Sequence, residues 1–155
     1  MPFIRSLLTK LFLLLCVVRQ STAQDGSYNV TVVEMVKDIN SVSSSYPAYL
    51  TPFNGELYFY ATDGTYGYEL WKTNGTEAGT VMVKDINSGS SPSSPTYLTP
   101  FNGTLYFRAD DGTNGKELWK TDGTEAGTVM VKDINSVSDH SSPVYLTPFN
   151  GELYF

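Results

Sequence analysis

The run Glu56-Leu57-Tyr58-Phe59-Tyr60-Ala61 alternates strictly, placing Leu57, Phe59 and Ala61 on one side of a pleat and Glu56, Tyr58 and Tyr60 on the other. Its aromatic content on that period predicts a β-strand. Turn signals bracket it. Asn54-Gly55, just before it, is a two-residue hairpin turn, since both positions tolerate the left-handed backbone such a turn requires. That places a first strand over Tyr49–Phe53. Asp63-Gly64-Thr65-Tyr66-Gly67 leads into a third strand, Tyr68–Thr73, and Asn74-Gly75-Thr76-Glu77-Ala78-Gly79 into a fourth, Thr80–Ile86. Pro52 has no N–H for a ladder, so the first strand is expected at a sheet edge. No segment from residue 24 onward has a helical period. The fold is expected to be all-β.

This four-strand pattern recurs. Leu-Thr-Pro-Phe-Asn-Gly starts at Leu50, Leu98 and Leu146, and Val-Lys-Asp-Ile-Asn at Val36, Val83 and Val131, a period of about 48 residues. Residues 49–87 align with 97–135 over 39 positions with six differences, at 56/104, 60/108, 62/110, 66/114, 68/116 and 74/122. The organisation expected is a leader over 1–23, a partial repeat with linker over 24–48, full repeats over 49–96 and 97–144, and a truncated repeat over 145–155.

The second strand keeps Leu57, Phe59 and Ala61 as Leu105, Phe107 and Ala109, while Tyr58 and Tyr106 hold the opposite face. The third strand puts Leu70 (Leu118) and Trp71 (Trp119) on opposite sides. Leu57, Phe59, Leu70, Trp71 and their counterparts are therefore the expected core, and sheets apolar on both faces need neighbours on both. Four-stranded antiparallel blades stacked as in a β-propeller satisfy that need. The tally is eleven strands, an incomplete propeller. The chain breaks off at Leu153-Tyr154-Phe155 where both counterparts continue, so further repeats of the same protein are expected.

Glu117-Leu118-Trp119-Lys120-Thr121-Asp122-Gly123-Thr124, followed by Glu125-Ala126-Gly127-Thr128 and Val131-Lys132-Asp133-Ile134, resembles the ELWxxDGT repeat, found in tandem in secreted or surface proteins, some labelled hyalin-like. The resemblance covers about residues 30–155. The copy at Glu69–Thr76 departs from it, with Asn74 for the aspartate. The resemblance implies a propeller-like repeat and brings no catalytic residues. Asp122-Gly123-Thr124 also resembles the structural Asp-box turn of sialidase propellers.

Residues 1–23 have the layout of a secretory signal peptide: Arg5 and Lys10, the apolar run Leu11–Val18, then Ser21-Thr22-Ala23 before an expected cut at Ala23/Gln24. The run is too short to span a bilayer, which needs about 20 apolar residues. The whole chain carries 10 basic and 16 acidic side chains, and without the leader seven against 16, a net charge of −9. With no basic cluster, phosphate neutralisation of a nucleic acid is excluded. The sole cysteine, Cys16, lies in the leader, and His140 is the sole histidine, so neither a zinc-cysteine nor a multi-histidine site can form. No cofactor is expected.

Asp110, Asp111 and Asn114 offer oxygen atoms on a glycine-rich turn and are a weak calcium candidate, set against plain turn chemistry for Asp63-Gly64 and Asp111-Gly112. Asn54-Gly55, Asn102-Gly103 and Asp122-Gly123 are structural turns. Asn29, Asn74 and Asn102 head glycosylation sequons. Tyr60, Tyr66 and Tyr68, replaced by Arg108, Asn114 and Lys116, form a candidate aromatic platform, with ordinary packing as the alternative. Glu69 and Glu117 could be read as paired acids, but their equivalent positions point to a repeated structural role. The expected function is a secreted or cell-surface repeat scaffold for adhesion, matrix or binding, without catalysis, whose partner is an extracellular protein or glycan. The alternative is a fragment of an extracellular propeller enzyme with its catalytic residues outside this chain.

Overall fold

The computed structural model describes residues 15–22, 29–136 and 139–155. Among them are twelve strands and no helix: β1 Leu15–Thr22, β2 Asn29–Lys37, β3 Ala48–Phe53, β4 Glu56–Ala61, β5 Glu69–Thr73, β6 Val81–Lys84, β7 Thr96–Phe101, β8 Thr104–Asp110, β9 Lys116–Thr121, β10 Val129–Lys132, β11 Thr147–Phe149 and β12 Glu152–Tyr154. β3–β6 and β7–β10 are two four-stranded antiparallel meanders, and β1–β2 and β11–β12 are two-stranded hairpins. The Asn-Gly turns are left-handed at both residues, at φ 48° and 78° for Asn54-Gly55 and 47° and 73° for Asn102-Gly103. Pro52 and Pro100 sit in β3 and β7, each an outer strand of its sheet.

Both faces of the first sheet are covered. Phe59, Ala61 and Trp71 pack with Leu15 and Ile39 from the preceding segment. On the other side Tyr58, Leu70, Val83 and Ile86 pack with Leu105, Phe107, Ala109 and Trp119 of the second sheet. Seven of the eight expected core side chains are buried. Leu57 is the exception and is only half-buried. Its counterpart Leu105 is roofed by the first sheet, whereas Leu57 borders an open cleft of about 380 Å³ beside β1, shared with Leu15 and Val17.

The eleven strands expected are joined by a twelfth, β1, inside the segment read as leader. It occupies a third-strand position. Leu15 stands opposite Lys37 and Cys16 opposite Met35, with a register shift between them. In the full unit Leu70 stands opposite Lys84 and Trp71 opposite Met82, with the shift at the same step. A short apolar run with paired valines suits a strand as well as a leader, and pattern alone does not separate the two. The expected cut at Ala23/Gln24 lies outside the described residues.

The repeated Val-Lys-Asp-Ile-Asn segment forms the junctions between units. Lys37 Nζ donates to Thr80 O at 2.8 Å, and Lys84 Nζ to Thr128 O at 2.9 Å, each reaching a turn of the following unit. Asn40 and Asn87 lie beneath the following Asp-Gly turns: a Cβ at Gly64 would fall 2.9 Å from Asn40 Nδ2, and one at Gly112 2.6 Å from Asn87 Oδ1. The Ser/Pro linker is seated as tightly. A Cβ at Gly67 would meet Ser91 O at 2.3 Å and Pro92 Cα at 2.5 Å, both backbone atoms that cannot swing aside. Gly67→Ala is expected to destabilise the chain by about 2 kcal/mol, the usual range for overpacking, read as a lowered urea midpoint with unchanged slope.

Candidate binding face

Each unit enters its first strand through a tyrosine with a left-handed backbone, at φ 58° for Tyr49, 58° for Tyr97 and 56° for Tyr145. A bulky residue is strained there, where asparagine or glycine would cost less. Tyr49 is 56% exposed and Tyr145 78% exposed. A cleft of about 430 Å³ opens between β3 and β7, with Tyr49, Leu50 and Thr51 on one wall and Thr96, Tyr97 and Arg108 on the other. Sequence reasoning missed these three tyrosines. Their signal was an aromatic residue every 48 positions at the end of a Ser/Pro linker, on what reads as ordinary strand.

Of the expected platform, the structure brings two members together. Tyr60 and Tyr68 stack at 4.5 Å with 4° between planes, and Tyr49 meets Tyr60 edge-on at 5.9 Å and 83°. Burial pushes the Tyr60 phenol up, with Tyr68 and Tyr49 adding to the effect. Tyr66 stands in the neighbouring turn, its carbonyl accepting from Thr62 Oγ1 at 2.8 Å. In the second unit Arg108 replaces Tyr60 and lies over the Tyr97 ring, its guanidinium carbon 4.8 Å from the centroid, while Tyr97 meets Tyr145 at 5.9 Å. The same backbone thus presents a tyrosine stack in one unit and a cation on a tyrosine in the next.

The acids are engaged elsewhere. Glu69 is fully buried and accepts from Ile86 N at 3.0 Å, Ser93 N at 2.8 Å and Ser93 Oγ at 2.5 Å. Glu117 repeats this with Ile134 N at 3.1 Å, Ser141 N at 2.8 Å and Ser141 Oγ at 2.6 Å. Ser93 O in turn accepts from Asp110 N at 3.0 Å, so the clamp ties the linker to both units. Burial pushes the Glu69 carboxyl up to about 7, against the lowering effect of the hydrogen bonds from Ser93 and Ile86.

The Thr-Asp-Gly-Thr turn explains its own residues. Asp122 Oδ1 accepts from Thr124 N at 2.9 Å and Thr124 Oγ1 at 2.7 Å, and Thr124 Oγ1 accepts from Gly127 N at 2.9 Å. Below it, Thr121 Oγ1 meets Thr128 Oγ1 at 2.7 Å. Asn74 makes the same pair of bonds through its Oδ1, at 3.1 and 2.7 Å. A Cβ at Gly79 would sit 2.0 Å from Asn74 Oδ1, and one at Gly127 2.1 Å from Asp122 Oδ1, so the glycine five places on makes room for the capping side chain. The Thr124 hydroxyl and amide hold the Asp122 carboxyl below the usual range. Gly123 has a second duty. Its φ is +96°, and a Cβ would fall 2.2 Å from the hydroxyl of Tyr58, which reaches across from the first unit.

At the calcium candidate, Asp110 Oδ1 accepts from Gly112 N at 2.8 Å, and Asp111 Oδ1 from Thr113 N and Asn114 N at 2.9 and 2.7 Å. Asn114 turns its Nδ2 toward Asp111 Oδ2 at 2.7 Å, presenting a donor where a cation needs an oxygen. Burial raises the Asp111 carboxyl, but the Asn114 and Thr113 donors outweigh it and hold it below the usual range. His140 Nδ1 accepts from Lys116 N at 2.8 Å. Among the sequons, Asn74 is tied into its turn, whereas Asn102 is exposed at a hairpin tip and Asn29 is exposed at the start of β2. No protein family, curated protein or solved structure matches the chain.

Proposed function

We propose that the chain is a secreted or cell-surface repeat scaffold of the ELWxxDGT type, serving adhesion, matrix or binding and carrying no catalysis of its own. Its sheets are read as successive blades of a propeller-like array. One observation carries this reading: both junctions use the same lysine-to-carbonyl bond and the same asparagine beneath a glycine turn. A chain whose consensus residues build joints between units is organised to present a repeated surface. The two motif glutamates are bonded to linker donors in the same way, which supports a structural role over an acid pair. Expression of the full chain in a secretory host tests the proposal. The exported product is expected to begin at Gln24 by N-terminal sequencing, so that β1 belongs to the chain only before the cut, and to turn over no glycoside, ester or peptide substrate. Met1 retained on exported material, or turnover lost on a single substitution, overturns it.

A further inference from the structure

The structure assigns the cleft between β3 and β7 to an acidic saccharide, with a pyranose ring laid on the tyrosines and its carboxylate on Arg108. This deepens the binding role proposed above and rests on it. Tyr49 and Tyr97 hold a left-handed backbone that asparagine or glycine would adopt with less strain, yet tyrosine stands there in every unit. Retained strain of this kind marks a side chain kept for what it presents. Half-exposed phenol rings suit a sugar: the ring face takes the C–H face of a pyranose, and the hydroxyl takes its polar rim.

The charge selects among sugars. Arg108 lies over Tyr97 in the lining of the cleft, and it has no ion pair or side-chain hydrogen bond among the described residues. In a chain of net charge −6, an arginine held on a ring without an acidic partner is an open fork for a carboxylate. Thr96 stands opposite Arg108 in the β7–β8 ladder, and its Oγ1 is buried behind the cleft wall, so the guanidinium is the polar group this position offers a ligand. The cleft thus combines ring faces with one unpaired cation.

Galacturonate and galactose tetramers, both α-1,4-linked, differ only at C6, so titrating the full chain with each by calorimetry isolates the charge. The galacturonate tetramer is expected to bind roughly tenfold or more tightly at low salt. Arg108→Tyr, which installs the residue the first unit carries at position 60, is expected to abolish that preference with an unchanged urea midpoint. Tyr97→Ala is expected to weaken both oligomers. Equal binding by the unaltered chain, a preference that survives in Arg108→Tyr, or binding of neither oligomer overturns the proposal. Export at Gln24 and the lack of turnover are read separately, so the scaffold reading stands or falls on its own measurements.

Discussion

Glu69→Ala is expected to cost the fold about 3–5 kcal/mol, the loss typical of breaking a buried, fully bonded charged group. Three donors, Ile86 N, Ser93 N and Ser93 Oγ, lose their acceptor together, and two of them are backbone groups that cannot rotate toward water. The same carboxyl should make stability depend on pH. Burial raises it from the ordinary 4.5 to about 7 in the folded chain. Between those values the folded state holds a proton that the unfolded state has released. The contribution is therefore fully present below about pH 4.5 and is lost as pH rises through about 7, on the order of 3 kcal/mol in all. Asp111 and Asp122, both held low, act in the opposite sense but in more acidic solution. Urea melts between pH 5 and 8 isolate the glutamate, and Glu69→Gln should flatten that slope while lowering the midpoint at pH 5. An undiminished slope in Glu69→Gln would place the titrating group elsewhere.

Extending the chain past Phe155 with the residues that follow Phe107 in the second unit, through a further Ile134 equivalent, is expected to add on the order of 5 kcal/mol to its stability. Val83 and Ile86 are each 6% exposed beneath the second sheet, whereas their counterparts Val131 and Ile134 are 44% and 45% exposed. In the covered pair the lid includes Ala109 and Trp119, from the end of a second strand and from a third strand. The hairpin β11–β12 supplies neither of these. A third unit carried to completion would place both over Val131 and Ile134 and would pair the free side of β12. Denaturant melts of the two proteins measure the gain, and sedimentation should show any self-association of the shorter one disappearing. If the longer protein melts at the same urea concentration, the exposed face is not an incomplete junction.

Local rules made most of the strand pattern readable. Asn54-Gly55 fixes a hairpin by backbone sterics alone, Pro52 declares an edge, and the Leu-Tyr-Phe-Tyr-Ala alternation assigns faces without knowledge of what covers them. Apolar residues on both faces announced neighbours on both sides, and Trp71 and Leu70 pack in opposite directions as that requires. What stayed hidden depends on distance along the chain. The partners of Glu69 lie 17 and 24 residues further on, in a turn and a linker whose composition reads as solvated loop. The cleft needs β3 and β7, from different units, side by side. Leu15–Thr22 carries an apolar pattern that both a leader and a strand satisfy, and only its pairing with β2 distinguishes the second role. Tyr49 and Tyr97 recur visibly in the sequence, but their left-handed backbone was hidden because a positive φ leaves no mark on the side chain's identity.

The lysine and asparagine of each joint always reach from the earlier unit to the later one. Every joint therefore has a donor side and an acceptor side, and any unit can follow any other. At the level of the gene, unequal crossing-over between two copies adds or removes one full period and leaves every joint with both its halves. The linker absorbs a single residue, since Lys37 and Thr80 lie 43 positions apart and Lys84 and Thr128 lie 44 apart with both bonds kept, whereas loss of the lysine or the asparagine removes one half of a joint. The near-identity of residues 49–87 and 97–135 keeps the two joints alike, and the side chains at 60/108 and 68/116, which no joint uses, are among the positions where the copies differ.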